Sequence, residues 1–233
     1  MERAFIQKHS ERTLMPGEAT SASSVGTYGL IEAAEYLRIP CSTVFNWTKK
    51  NKLILMPTCD RLSFLNLVEL HVLKGMRIWH NVPLQRIRSA IDHMRERFGS
   101  NHPLAAFKFD TDGIDLFLEQ AGSFINVSRH GQLAFKSLLG TYTRRIEWDK
   151  SGLANQFFPF VVDETENEPR TIVLNPRISF GRPVIVGTGI STAVIAGRFN
   201  ARDSVPNLAE EYGLKAEQIE EAIRWESRPK RAA

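Results

Sequence analysis

Proline 40 is the residue that most limits how this chain can fold. It comes three positions after the run Gly29-Leu30-Ile31-Glu32-Ala33-Ala34-Glu35-Tyr36-Leu37. In that run Leu30, Ala33, Ala34 and Leu37 fall at i, i+3, i+4 and i+7, the spacing of one apolar helix stripe. Proline has no amide hydrogen and pushes its predecessor out of the helical region, so the helix must stop near Arg38-Ile39. A second helix is expected over 42–49, with Cys41 or Ser42 at its cap and Val44 and Trp47 facing the core. Two short helices across such a tight turn make a helix-turn-helix. The segment 51–57 leaves it extended, Thr58-Cys59-Asp60 turns, and Arg61-Leu62-Ser63-Phe64 returns, which reads as a wing.

The second helix of such a unit fits the major groove, and its outward side chains meet base edges and phosphates. Ser42, Thr43 and Asn46 are the short polar groups placed to do so. Lys49, Lys50 and Lys52 follow at the helix end, and Arg61 on the wing can reach an adjacent phosphate. Charge agrees with this placement. The chain has 233 residues and a net charge of +4, and residues 28–100 hold eleven basic against six acidic groups. Phosphate contacts require clustered Lys and Arg, so a polyanion would dock there.

Further along, a long helix is expected over 64–80. Pro83 opens the next helix, in which Leu84, Ile87, Ile91, Met94 and Phe98 are spaced as a heptad seam, and Gly99 can end it in a left-handed cap. We read the seam as an antiparallel dimer contact, packing within one subunit being the alternative. The fold expected is α+β. Residues 1–27 form a flexible arm, 28–100 the winged helix-turn-helix with its dimerisation helices, and 101–162 a β-rich insert. In that insert 106–109, 114–118 and 124–127 make a small meander around the turn Asp110-Thr111-Asp112-Gly113. Residues 163–170 form an acidic linker, 171–226 a small domain of short strands and three helices, and 227–233 a basic tail.

Two stretches resemble known families. Tyr28-Gly29-Leu30-Ile31-Glu32-Ala33-Ala34-Glu35-Tyr36-Leu37, Ile39-Pro40, Ser42-Thr43-Val44 and Trp47 are similar to the MerR-type winged helix-turn-helix, and 62–70 resembles the helix after its wing. Phe45 stands where that family often has arginine. Ile172-Val173-Leu174-Asn175-Pro176-Arg177-Ile178-Ser179-Phe180-Gly181-Arg182-Pro183-Val184-Ile185-Val186-Gly187-Thr188-Gly189-Ile190 resembles a small bacterial antitoxin domain long filed as of unknown function, with Gly189 in place of its usual arginine. The order of the two is similar to one subgroup of VapB-type antitoxins. The resemblance implies a DNA-binding antitoxin of a type II system, a PIN-domain ribonuclease toxin as partner, and repression of its own operon on double-stranded DNA. Toxin contact would fall to the C-terminal domain and its cations Arg224, Arg228 and Arg231. Two rivals stay open: a MerR-like regulator with a small-molecule pocket in the insert, and a protein-interaction adaptor.

Chemistry of other kinds finds little footing. Cys41 and Cys59 form no C-x-x-C, which excludes a cysteine-paired zinc site and a disulfide scaffold. The six histidines include no H-E-x-x-H, and no nucleophile elbow or P-loop occurs. Gly187-Thr188-Gly189 lacks the third glycine of a dinucleotide fingerprint and reads as a tight turn. No enzyme activity, cofactor or metal is expected. No apolar run nears the roughly 20 residues of a membrane helix and no signal-peptide core opens the chain, so the expected setting is cytoplasmic.

Overall fold

The computed structural model describes residues 22–78, 83–106, 109–122, 129–165 and 167–228. It combines helices with three small antiparallel sheets, an α+β architecture. Helix α1 (Leu30–Leu37) buries Ala33, Ala34 and Leu37, the stripe its spacing demands. The Glu32 carboxylate accepts from the Gly29 amide at 3.3 Å and holds its first turn. Arg38, at φ 55°, closes it in a left-handed cap, with the Ile39 amide bonded to the Ala34 carbonyl. Pro40 caps α2 (Cys41–Phe45), and Asn46–Lys50 continues it as one wide π turn in which the Asn51 amide reaches back to the Asn46 carbonyl at 2.7 Å.

The wing differs from its expected form. Arg61–Leu62 (β2) does not pair with 51–57. It pairs with Tyr28–Gly29 (β1), in the register Tyr28↔Leu62 and Gly29↔Arg61. Residues 22–27, expected in the arm, are tied down: Ala22–Ser24 forms a 3₁₀ turn with Ser23 buried, and the Thr27 amide bonds to the Leu62 carbonyl. The rest of the arm lies outside the described residues.

Helix α3 (Phe64–Ile78) is the axis of the larger core. Ser63 and Asn66 cap its start reciprocally, at 3.1 and 3.2 Å. Leu65, Leu67, Val68, Leu70, Val72, Leu73 and Met76 are all buried, and a helix apolar on every side belongs inside a protein. Helix α4 (Leu84–Phe98) runs from Pro83 to a left-handed Gly99, as its flanking residues require.

The heptad seam of α4 is filled from within the chain. Ile87, Ile91 and Met94 are completely covered, and Leu84 and Phe98 pack on the same core. Their covering comes from α5 (Ile114–Gly122) and the 3₁₀ turn Pro103–Ala105. As a dimer interface the placement is therefore corrected for Ile87, Ile91 and Met94, which have no surface left for a second copy, while Leu84 and Phe98 are only half-buried.

The β-meander is corrected too. Ile114-Asp115-Leu116-Phe117-Leu118 is helical. Ile114, Phe117 and Leu118 are buried at i, i+3 and i+4 while Asp115 faces water. So short a run fits period two and period three-to-four alike, and the packing of Phe117 on Phe135 of α6 (Arg129–Thr143) decides for the helix. Asp110-Thr111-Asp112-Gly113 belongs to a π turn that leads into α5. Residues 107–108 and 124–127 of the expected strands lie outside the described residues. Among the described residues of the insert, Ile146–Trp148 (β3) and Ala154–Phe157 (β4) form a hairpin.

The 163–170 stretch is not a free linker. Arg145 is buried and donates to the carbonyls of Phe158, Pro159, Glu168 and Pro169 at 2.7–3.1 Å. The Glu168 carboxylate accepts from the amides of Val161, Val162 and Asp163. Glu164 meets both Lys74 and the Tyr142 hydroxyl.

The C-terminal part pairs Ile172–Val173 (β5) with Val184–Ile185 (β6) and adds α7 (Thr192–Asn200), α8 (Val205–Tyr212) and α9 (Ala216–Glu226). Ser204 caps α8 through the Asn207 amide, with Pro206 in the first turn. Ile172, Ile185, Ile195, Leu208, Ile219, Ala222 and Trp225 form its own core. That core is sewn to the larger one. Phe157 bridges Leu174, Tyr36 packs on Trp225 at 5.8 Å, and the Tyr28 hydroxyl donates to the Gly181 carbonyl at 2.9 Å.

Candidate nucleic-acid interface

Anchoring and display are separated on α2 and its π extension. Val44 and Trp47 are buried, as their spacing requires, and Thr48 folds its hydroxyl onto the Val44 carbonyl at 2.7 Å. The opposite side is open. Ser42, Asn46 and Lys50 are exposed, with Thr43 and Lys49 half-buried beside them. The helix is thus held by two apolar anchors and offers short polar groups and ammonium groups to whatever approaches.

Thr43, Asn46 and Lys50 line an open cleft of about 800 Å³ whose far wall holds Lys74, Arg77 and Leu84. Lys74 is also held by the Leu37 carbonyl at 2.8 Å and by Glu164. Lys52 and Arg61 fall outside this cleft. Lys52 is exposed at φ 50°, and the Arg61 guanidinium turns to the Thr27 carbonyl at 3.2 Å. Of the seven residues singled out in sequence, Thr43, Asn46 and Lys50 line the cleft, and Ser42, Lys49, Lys52 and Arg61 do not.

One residue on that row was not singled out. Phe45 is 51% exposed, between Thr43 and Asn46. Its position carried the signal: it lies three residues after Ser42 and four before Lys49, so it shares their outward face.

The C-terminal cations behave differently from expectation. Arg224 is engaged by Glu221 one turn back. Arg228 lies over the Trp225 ring at 3.2 Å and donates to the Trp225 and Phe160 carbonyls at 2.7 and 3.4 Å. Burial lowers its guanidinium pKa to about 10, so it remains charged near neutrality. It closes the fold rather than reaching outward. Arg231 lies outside the described residues. Other cations of this domain sit on the turn before β6: Arg177 and Arg182 are both exposed, on either side of Phe180.

The insert borders an open cleft of about 390 Å³ between α4 and α5, lined by Arg97, Phe98, Asp112, Asp115, Leu116 and Glu119. Among the described residues no helix is long and apolar enough to cross a membrane.

Comparison with known proteins now bears on this arrangement. Residues 172–225 match the family described as "Protein of unknown function (DUF433)". Over 229 residues the chain is 28% identical to the Mycobacterium tuberculosis protein described as "Putative antitoxin VapB45", covering 85% of this chain and 93% of that protein. It is 27% identical over 225 residues to "Uncharacterized protein Rv2308" of the same organism, covering 88% of this chain and 91% of that one. The crystal structure of Rv2018 from M. tuberculosis superposes with a TM-score of 0.70 at 28% identity, over 85% of this chain and 98% of the other. The likeness therefore runs across both parts of the molecule, and one of the proteins it resembles is described as "Putative antitoxin VapB45".

Proposed function

We propose that this chain is the antitoxin of a type II toxin–antitoxin pair. In this reading it neutralises a PIN-domain ribonuclease toxin by direct binding and represses its own operon. The observation that carries it is the anchored, outward-facing row Ser42, Thr43, Asn46, Lys49 and Lys50, on a chain similar over 85% of its length to an antitoxin-named protein. Thr43 and Asn46 would read base edges in the major groove, and Lys49 and Lys50 would neutralise phosphates. Phe45, between them, can make apolar contact with a thymine methyl group. Lys52 and Arg61 would meet the flanking backbone. The 171–226 domain would hold the toxin.

The test is binding of the full chain to its own promoter fragment, followed by fluorescence anisotropy against salt. Specific binding whose affinity falls steeply with salt supports the reading. An affinity equal for promoter and scrambled DNA removes operon repression. Co-purification with the product of the adjacent gene tests the antitoxin half independently.

A further inference from the structure

Ser179, Phe180 and Gly181 have consecutive positive φ angles of 48°, 54° and 77°. Glycine adopts that region freely, but a residue with a Cβ rarely does, and a strained pair persists only where its surroundings hold it. The surroundings here do so. The Tyr28 hydroxyl donates to the Gly181 carbonyl at 2.9 Å, and the Gly181 and Arg182 amides close successive turns onto the Ile178 and Ser179 carbonyls at 2.9 and 3.1 Å. A Cβ on Gly181 would stand 2.1 Å from the Tyr28 hydroxyl, so the approach requires glycine.

The outcome of this arrangement is a phenylalanine 86% exposed to water. Neither core uses it. Arg177 and Arg182 flank it, both exposed, and neither guanidinium makes a hydrogen bond or ion pair among the described residues. An aromatic side chain bracketed by arginines is the composition that dominates binding energy when it enters a desolvated pocket.

We propose that the 177–182 turn is the anchor by which the C-terminal domain grips its toxin. The toxin would offer an apolar socket for Phe180, rimmed by carboxylates for Arg177 and Arg182. The assignment deepens the antitoxin reading and rests on it. A polyphosphate chain is the less suited occupant. Glu226 is held by Thr192, whose hydroxyl also lies 3.4 Å from the Pro183 carbonyl next to the turn, and Glu217 and Glu220 are exposed on the same domain.

The experiment co-expresses the full chain with the product of the adjacent gene and compares wild type, Phe180→Gly and the double variant Arg177→Glu/Arg182→Glu by calorimetric titration and thermal melting. Phe180→Gly should hold or raise Tm, because glycine relieves the left-handed strain, while it weakens toxin binding about thirtyfold or more. The double variant should weaken binding, and added salt should then strengthen rather than weaken what binding remains, because it screens the new carboxylate repulsion. Should the glycine variant lose its cooperative melt, the exposed arginine pair decides. Unchanged toxin affinity in these variants overturns the assignment and leaves the antitoxin reading standing, whereas no binding by the wild type overturns both. Weakened promoter affinity with toxin affinity intact would make the turn a DNA wedge and overturn it. So would a wild-type dimer that dissociates on Phe180→Gly.

Discussion

Phe45 ends α2 and Asn46 opens its π extension, both exposed, yet they would ask different things of a duplex. Asn46→Ala should weaken specific promoter binding by about 1–3 kcal/mol, read by anisotropy, because one amide recognises a base edge in two places. Phe45 is probed from the DNA side. A promoter fragment copied with deoxyuridine in place of thymidine lacks every thymine methyl, and it should bind the wild type less tightly while Phe45→Ala barely distinguishes the two fragments. His71 makes a different kind of demand. Its ring lies among Tyr142, Phe157 and Phe160, and its Nε2 is 3.1 Å from the Tyr142 carbonyl, so that nitrogen carries the hydrogen. Burial first, then the Lys74 charge, lowers its pKa from 6.5 to about 3. The folded chain therefore keeps His71 neutral while the unfolded chain protonates it below pH 6.5. Stability from this group is present above that pH and falls toward pH 3, by at most about 1.4 kcal/mol per unit. Urea unfolding at pH 6.5 and 5 should show a shallower loss in His71→Gln, above the range where carboxylates such as Glu164 begin to titrate.

At the scale of elements, strong local punctuation was readable and two-sided packing was not. Pro40, Pro83, Gly99 and the Val44–Trp47 pair each act through backbone sterics or a single face, so α1, α2 and α4 stand where the sequence puts them. Run 114–118 was ambiguous because its partner Phe135 is distant in sequence. The α4 seam was legible as apolar but not as to what covers it, since α5 was itself misread. The consequence is measurable. Ile91 is fully buried, so Ile91→Glu should unfold the chain or cut its Tm steeply, the cost of an unpaired buried charge. A well-folded monomer from a dimeric wild type would instead return the seam to an intersubunit role.

For the whole molecule, the decisive contacts are those that no local pattern announces. Arg145 gathers carbonyls from Phe158 and Pro159, before the stretch that composition suggested was a linker, and from Glu168 and Pro169 at its far end, while Glu168 collects the amides of Val161, Val162 and Asp163 where it begins. Acidic and polar residues there mean partnership, and only the fold reveals with whom. Calorimetry should therefore show one transition for both parts, and Arg145→Ala should lower Tm and split or broaden it, because the buried carbonyls of Phe158, Pro159 and Glu168 and the half-buried one of Pro169 lose their donor. The same stitching carries a geometric consequence. If α2 sits in a groove, the 177–182 turn stands at one fixed azimuth around the duplex, and whatever it grips is carried at that angle. Two chains on sites a whole helical turn apart would hold their cargo on one side of the DNA. Inserting about half a turn, roughly 5 base pairs, would swing one load to the far side and separate what the original spacing kept in phase.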